Sequence, residues 1–140
     1  MTEHDTPELN PQDHLLPQEE MLEIKRSKSN ISIGIPKEIH FQENRVPIAP
    51  ESVAVLVQNG HKVILEDSAG DAAHFTTRAY ADAGAEIVYS AQEVFQTDII
   101  LKVAPPSVEE ISMMKGKQFL FSAINLPGQK QDYFKALKEK

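Results

Sequence analysis

Three prolines fence the segment "PKEIHFQENRVPIAP", residues 36–50, and inside it stand Glu38, His40, Gln42, Glu43, Asn44 and Arg45. The guanidinium of Arg45 is a planar fork of donors that matches a carboxylate, so a small organic acid is the chemistry this loop could recognise. Taken alone, an arginine in a polar loop is as readily a surface residue paired with Glu38 or Glu43, and Glu38 could brace it. His40 shares the loop, but a lone histidine is more often not catalytic. Two further polar residues follow apolar runs: Lys102 in "DIILKVA" and Asn125 in "AINLP". Lys102 reads equally as a strand-end lysine whose stem lies on apolar surface with its head in water. Asn125 reads equally as a turn residue before Leu126 and Pro127. His74, in "GDAAHF", reads as structural or surface, in a loop on the far, amino-end side of the sheet.

The five histidines, at 4, 14, 40, 61 and 74, show no paired ligand spacing, and there are no cysteines. Neither a metal site nor a disulfide framework is expected. The formal net charge of -7 argues against nucleic acid, whose phosphates call for a basic face. With 41% hydrophobic and 25% charged residues the chain has the composition of a globular domain. No apolar run approaches membrane-spanning length, and "MTEHDTPELN" is too polar for a secretory signal, so a cytoplasmic location is expected.

The elements that must position these residues alternate in type. Residues 1–30 read as an extension, loosely attached over 1–14, with a short helix over 17–27. From Ile31 onward, "ISIGI" reads as a strand, 50–60 as a helix between Pro50 and Gly60, and 61–67 as a strand. Residues 76–84 read as a helix, 85–89 as a strand and 90–96 as a helix. A strand over 98–104, a helix over 107–114, a strand over 117–124 and a helix over 128–140 complete the pattern. Ser90 with Glu93 and Ser107 with Glu110 each have capping-box spacing. The nearly continuous apolar strands predict burial on both faces.

This repetition predicts an α/β fold: an open parallel sheet of about five strands with helices on both faces. In such a sheet, ligands sit outside the carboxyl ends of the strands. The segments 36–50, 104–107 and 123–128 are therefore expected to converge there. None of the six glycines forms G-x-G-x-x-G, and no phosphate-cradling loop is present.

The stretches "IGIPKEIHFQENRVPIAPESVAVLVQNGHKVILEDSAGDAAHF" and "YADAGAEIVYSAQEVFQTDIILKV" resemble the opening domain of alanine dehydrogenases and of the alpha subunit of nicotinamide nucleotide transhydrogenases. The resemblance runs from about Ile31 to Lys140. It implies a Rossmann-like substrate domain over 31–140, part of a longer NAD- or NADP-linked oxidoreductase. The cofactor would be bound by a domain absent here, and none is expected in this chain. The last part of the longer chain would return to complete the first domain. It further implies a homo-oligomer acting on alanine and pyruvate. By position, Arg45 matches the arginine that grips the substrate carboxylate, and Lys102 matches the first lysine of the family's L-K-V-K-E-P run. Two positions depart: Ala104 replaces that run's second lysine, and Asn125 stands at the place of the family's acid/base histidine. An asparagine orients by hydrogen bonds but exchanges no proton near neutral pH.

Three readings follow. The domain serves an alanine dehydrogenase; or it serves a transhydrogenase-like or diverged relative with another substrate; or it is a non-catalytic binding or assembly module.

Overall fold

The structure, a computed structural model, describes residues 30–140. The expected helix at 17–27 lies outside the described residues. Five strands and five helices alternate: β1 (Ser32–Ile35), α1 (Pro50–Gln58), β2 (Lys62–Glu66), α2 (Thr77–Asp82), β3 (Glu86–Val88), α3 (Ala91–Val94), β4 (Ile99–Leu101), α4 (Val108–Met113), β5 (Phe119–Phe121) and α5 (Gln131–Lys138). Every strand pairing is parallel and the order is β3-β2-β1-β4-β5. The chain winds outward from β1 to β3, crosses back, and lays β4 on the other side of β1. The strand order reverses between β1 and β4.

Gly34 permits that central position. A Cβ there would meet Thr97 Oγ1 and the Val94 carbonyl oxygen at 2.5 Å, so only glycine lets β1 pass beneath the end of α3. At the amino ends, Asp98 accepts hydrogen bonds from Ser32 N–H (3.0 Å) and Ser32 Oγ (2.7 Å) and pairs with Lys115 (3.0 Å). The bonds from Ser32, then Lys115, hold its carboxyl well below the usual carboxylate range.

Two apolar layers form, one on each face. Ile35, Val63 and Leu65 pack with Val53 of α1 and Tyr80 of α2 on one face. Ile100 packs with Phe95 and Met114 on the other. Tyr80 anchors the first layer, its hydroxyl donating to the Ile48 carbonyl at 2.8 Å.

Two expectations fail. Burial of every strand on both faces does not extend to β5, whose Phe119 and Phe121 are 70% and 58% exposed. They register with Ile99 and Leu101, on the face of α1 and α2, but those helices stand over β1 to β3. The capping box at Ser90 is also absent: Glu93 N–H bonds to the Ser90 carbonyl oxygen instead, so the side chain makes no cap in this single-turn helix. The box at Ser107 and Glu110 forms in full.

The asymmetry gives a mutational contrast. Ile100→Ala should cost about 2–5 kcal/mol of unfolding free energy. Phe121→Ala should cost roughly 1 kcal/mol, in proportion to the smaller area it buries. Denaturant titration of both variants checks this.

Candidate functional site

Lys102 leaves β4 and turns inward. Its side chain is 1% exposed, and its ammonium lies 3.1 Å from Glu38 Oε2 and 3.1 Å from Glu110 Oε1. It is therefore not the strand-end lysine with its head in water; two carboxylates draw it under the rim. The other oxygens are also used. Glu38 Oε1 accepts from Val103 N–H at 2.6 Å, and Glu110 Oε2 accepts from Ser107 N–H at 2.7 Å. One residue of the β1–α1 loop, one of β4 and one of α4 are thus joined by charge where the strand order reverses. Two negative groups flank one positive group, and each carboxylate is completed by a backbone donor, as a buried charge requires.

Glu38 makes no hydrogen bond to Arg45; its oxygens turn to Lys102 and Val103. Glu43 holds Arg45 instead. Its Oε1 accepts from Arg45 N–H (2.9 Å) and Nε (2.9 Å), and its Oε2 accepts from Nη2 (2.7 Å). The Glu43 side chain is 11% exposed and that of Arg45 74%. Chiefly through the Arg45 hydrogen bonds, the Glu43 pKa falls to about 2. The same bonds strengthen the charge on Arg45, with a smaller contribution from Glu38. The turn beneath this pair closes by Glu43 N–H to the His40 carbonyl, with Gln42 in the left-handed region at φ 63°. Such a conformation costs a residue with a side chain on the order of 1 kcal/mol.

Arg45 opens onto a cavity of 180 Å³ whose walls are Lys37, Glu38, Glu43 and Arg45 on one side and Ser68, Ala69, Asp71 and Ala72 on the other. The second wall is the loop after β2. It stands on the carboxyl rim, not on the amino side where His74 was expected, because a loop that follows a strand leaves at the strand's carboxyl end. Lys37 N–H donates to Glu66 Oε2 at 2.8 Å and ties the two loops together. Ser68 is left-handed, at φ 61°, and His74 closes the 3-10 turn Asp71–Ala73 as a left-handed cap at φ 63°.

The rim holds two further cavities. One of 380 Å³ lies between Pro47, Ile48 and the ends of β4 and β5, and includes Lys102. One of 680 Å³ lies between residues 39–41, 105–108 and 128–133, and includes Glu110 and Tyr133. The convergence of the loops after β1, β4 and β5 therefore occurs, but around this larger cavity and away from Arg45. Asn125 is exposed, precedes the 3-10 turn Leu126–Gly128, and lies outside the walls of all three cavities. Ala104 is buried at 6%. Among the described residues no cluster of three potential metal ligands occurs, and no helix is long and apolar enough to cross a membrane.

Sequence reasoning missed Glu110 and Asp71 as parts of the rim. The capping-box spacing of Glu110 had announced that it faces back toward the loop after β4. The position of Asp71 just past a strand was the available signal for the other.

The family model described as "Alanine dehydrogenase/PNT, N-terminal domain" matches residues 34–140. The chain belongs to this family. The alanine dehydrogenase of Methanococcus maripaludis is 44% identical over 109 residues, 77% of this chain and 29% of that protein. That of Staphylococcus saprophyticus is 42% identical over 99 residues, 71% of this chain and 27% of that protein. A solved L-alanine dehydrogenase superposes with a TM-score of 0.74 at 37% identity, over 78% of this chain and 30% of the other. A transhydrogenase from Sinorhizobium meliloti gives 0.69 at 30% identity, over 76% and 31%. This alanine dehydrogenase-like domain spans less than a third of the length of the relatives it matches.

Two outcomes test the charge arrangement. Lys102→Met leaves two carboxylates buried without a counter-charge and should destabilise the chain by about 3–5 kcal/mol, read by denaturant or thermal unfolding. The Glu43 carboxyl should titrate near 2 by carbon-detected NMR and return toward 4.5 in Arg45→Met. The sign follows from a lowered native-state value: the pair's stabilisation is complete above pH 4.5 and is lost only as the pH falls toward 2.

Proposed function

We propose that residues 31–140 are the substrate-holding domain of a longer NAD-linked oxidoreductase that converts L-alanine to pyruvate and ammonia. Residues 1–30 are an extension to that domain, and the longer protein is a cytoplasmic homo-oligomer. The observation that carries the reading is the guanidinium of Arg45, held by Glu43 through Nε and Nη2 in the wall of a cavity of small-molecule size. A substrate carboxylate at the remaining Nη1 edge would gain charge-assisted hydrogen bonds from a held donor.

A separate domain is the better place for the dinucleotide. β1 runs into Pro36, Lys37 and Glu38 in place of a glycine-rich turn, and Glu38, Lys102 and Glu110 fill the place where the strand order reverses. That place is where a parallel α/β sheet otherwise receives a pyrophosphate. NAD or NADP belongs to a separate domain, where it would accept the substrate hydride. This chain's share is to bind and orient the acid.

A second reading is favoured by Ala104 and Asn125. Neither can move a proton, and amino-acid oxidation passes through imine and hydrated forms that need one moved. A transhydrogenase-like or diverged enzyme acting on another substrate would not require them. Lys102 is committed to Glu38 and Glu110, which favours a structural role over substrate binding for that residue.

The longer protein should reduce NAD with L-alanine, followed by absorbance of the reduced cofactor. Arg45→Ala should raise KM for alanine about 10- to 150-fold, the equivalent of a charged hydrogen bond, with a smaller effect on kcat. No turnover of alanine by the parent protein would remove this reading in favour of the second.

A further inference from the structure

Three carboxylates line the cavity beside Arg45, and two of them are already hydrogen-bonded at both oxygens. Glu38 spends its oxygens on Val103 N–H and Lys102, and Glu43 spends both of its own on Arg45. The third, Asp71, is exposed and has no hydrogen-bond or ion-pair partner among the described residues. Asp67, nearby in the chain, is occupied by Ser68 Oγ and Thr77 Oγ1, each at 3.0 Å. The cations divide in the same way. Arg45 keeps its Nη1 edge free, and the Lys37 ammonium has no partner among the described residues. Opposite walls of one small cavity thus carry uncommitted charge of opposite sign, cationic from the loop after β1 and anionic from the loop after β2. Its 180 Å³ equals the bulk volume of about six waters, which suits a small zwitterion.

We propose that Asp71 receives the ammonium of an α-amino acid whose carboxylate is held by Arg45, so that this cavity prefers the amino acid to the corresponding oxo acid. The inference rests on the carboxylate-clamp reading of Arg45. An oxo acid satisfies the cationic wall and leaves Asp71 without a partner. The amino acid satisfies both, and a carboxylate beside a carbonyl oxygen adds repulsion against the oxo acid.

The test is an NMR titration of the 140-residue chain, read at backbone amides and at Arg45 Nε, with L-alanine and separately with pyruvate. L-Alanine should shift Arg45 and the amides of residues 68–72, whereas pyruvate should shift Arg45 alone. Asp71→Asn, a change at an exposed side chain, should weaken L-alanine at least tenfold and leave pyruvate within twofold. Arg45→Ala should abolish the L-alanine shifts of residues 68–72. If Arg45 answers both ligands and residues 68–72 answer neither, or if Asp71→Asn weakens both equally, the ammonium role falls and the clamp stands. If neither ligand moves Arg45, the clamp falls and takes the ammonium role with it.

Discussion

The rim of this domain is organised by one lysine between two carboxylates. Burial of Lys102 with Glu38 and Glu110 is tolerable only because every carboxylate oxygen has a donor, two of them backbone N–H groups. The geometry sews three elements together: the loop after β1, the end of β4 and the start of α4. Past Leu101, Lys102 N–H still donates to the Phe121 carbonyl (2.9 Å) and Ala123 N–H to the Val103 carbonyl (3.0 Å) on the β5 side, while Val103 N–H turns to Glu38.

That closure redistributes the available space. Each member of the triad faces a different cavity: Glu38 the charged one, Lys102 the one beside β5, and Glu110 the largest. The usual ligand crevice of an open α/β sheet is therefore occupied by the protein's own charges. The cavity beside Arg45 lies to the side, between the loops after β1 and β2.

Much of this was legible in the sequence, and the exceptions have physical reasons. The strand and helix order could be read because Pro36, Pro50, Gly60, Gly84 and the Pro105–Pro106 pair punctuate it at the ends of elements. Arg45 could be singled out because a planar fork in a fenced loop has few uses. The partners of Arg45 and Lys102 could not be assigned, since Glu38 and Glu43 are both within reach of Arg45 along the chain. Only the fold brings Lys102 to Glu38, 64 residues away. The capping box formed at Ser107, whose Oγ accepts from Glu110 N–H, and failed at Ser90, where the backbone carbonyl takes the donor. The open face of β5 was hidden because phenylalanine reads as core whether or not a helix covers it.

The amide of Val103 offers the most direct test of this organisation, because its only acceptor is a side chain buried by the triad. Native-state hydrogen exchange should show Val103 protected to nearly the level of Ile100 in the middle of β4. Exchange of Val103 at the rate of an unprotected loop amide, with Ile100 still protected, would mean that Glu38 does not close the sheet, and the account built on that closure would be wrong.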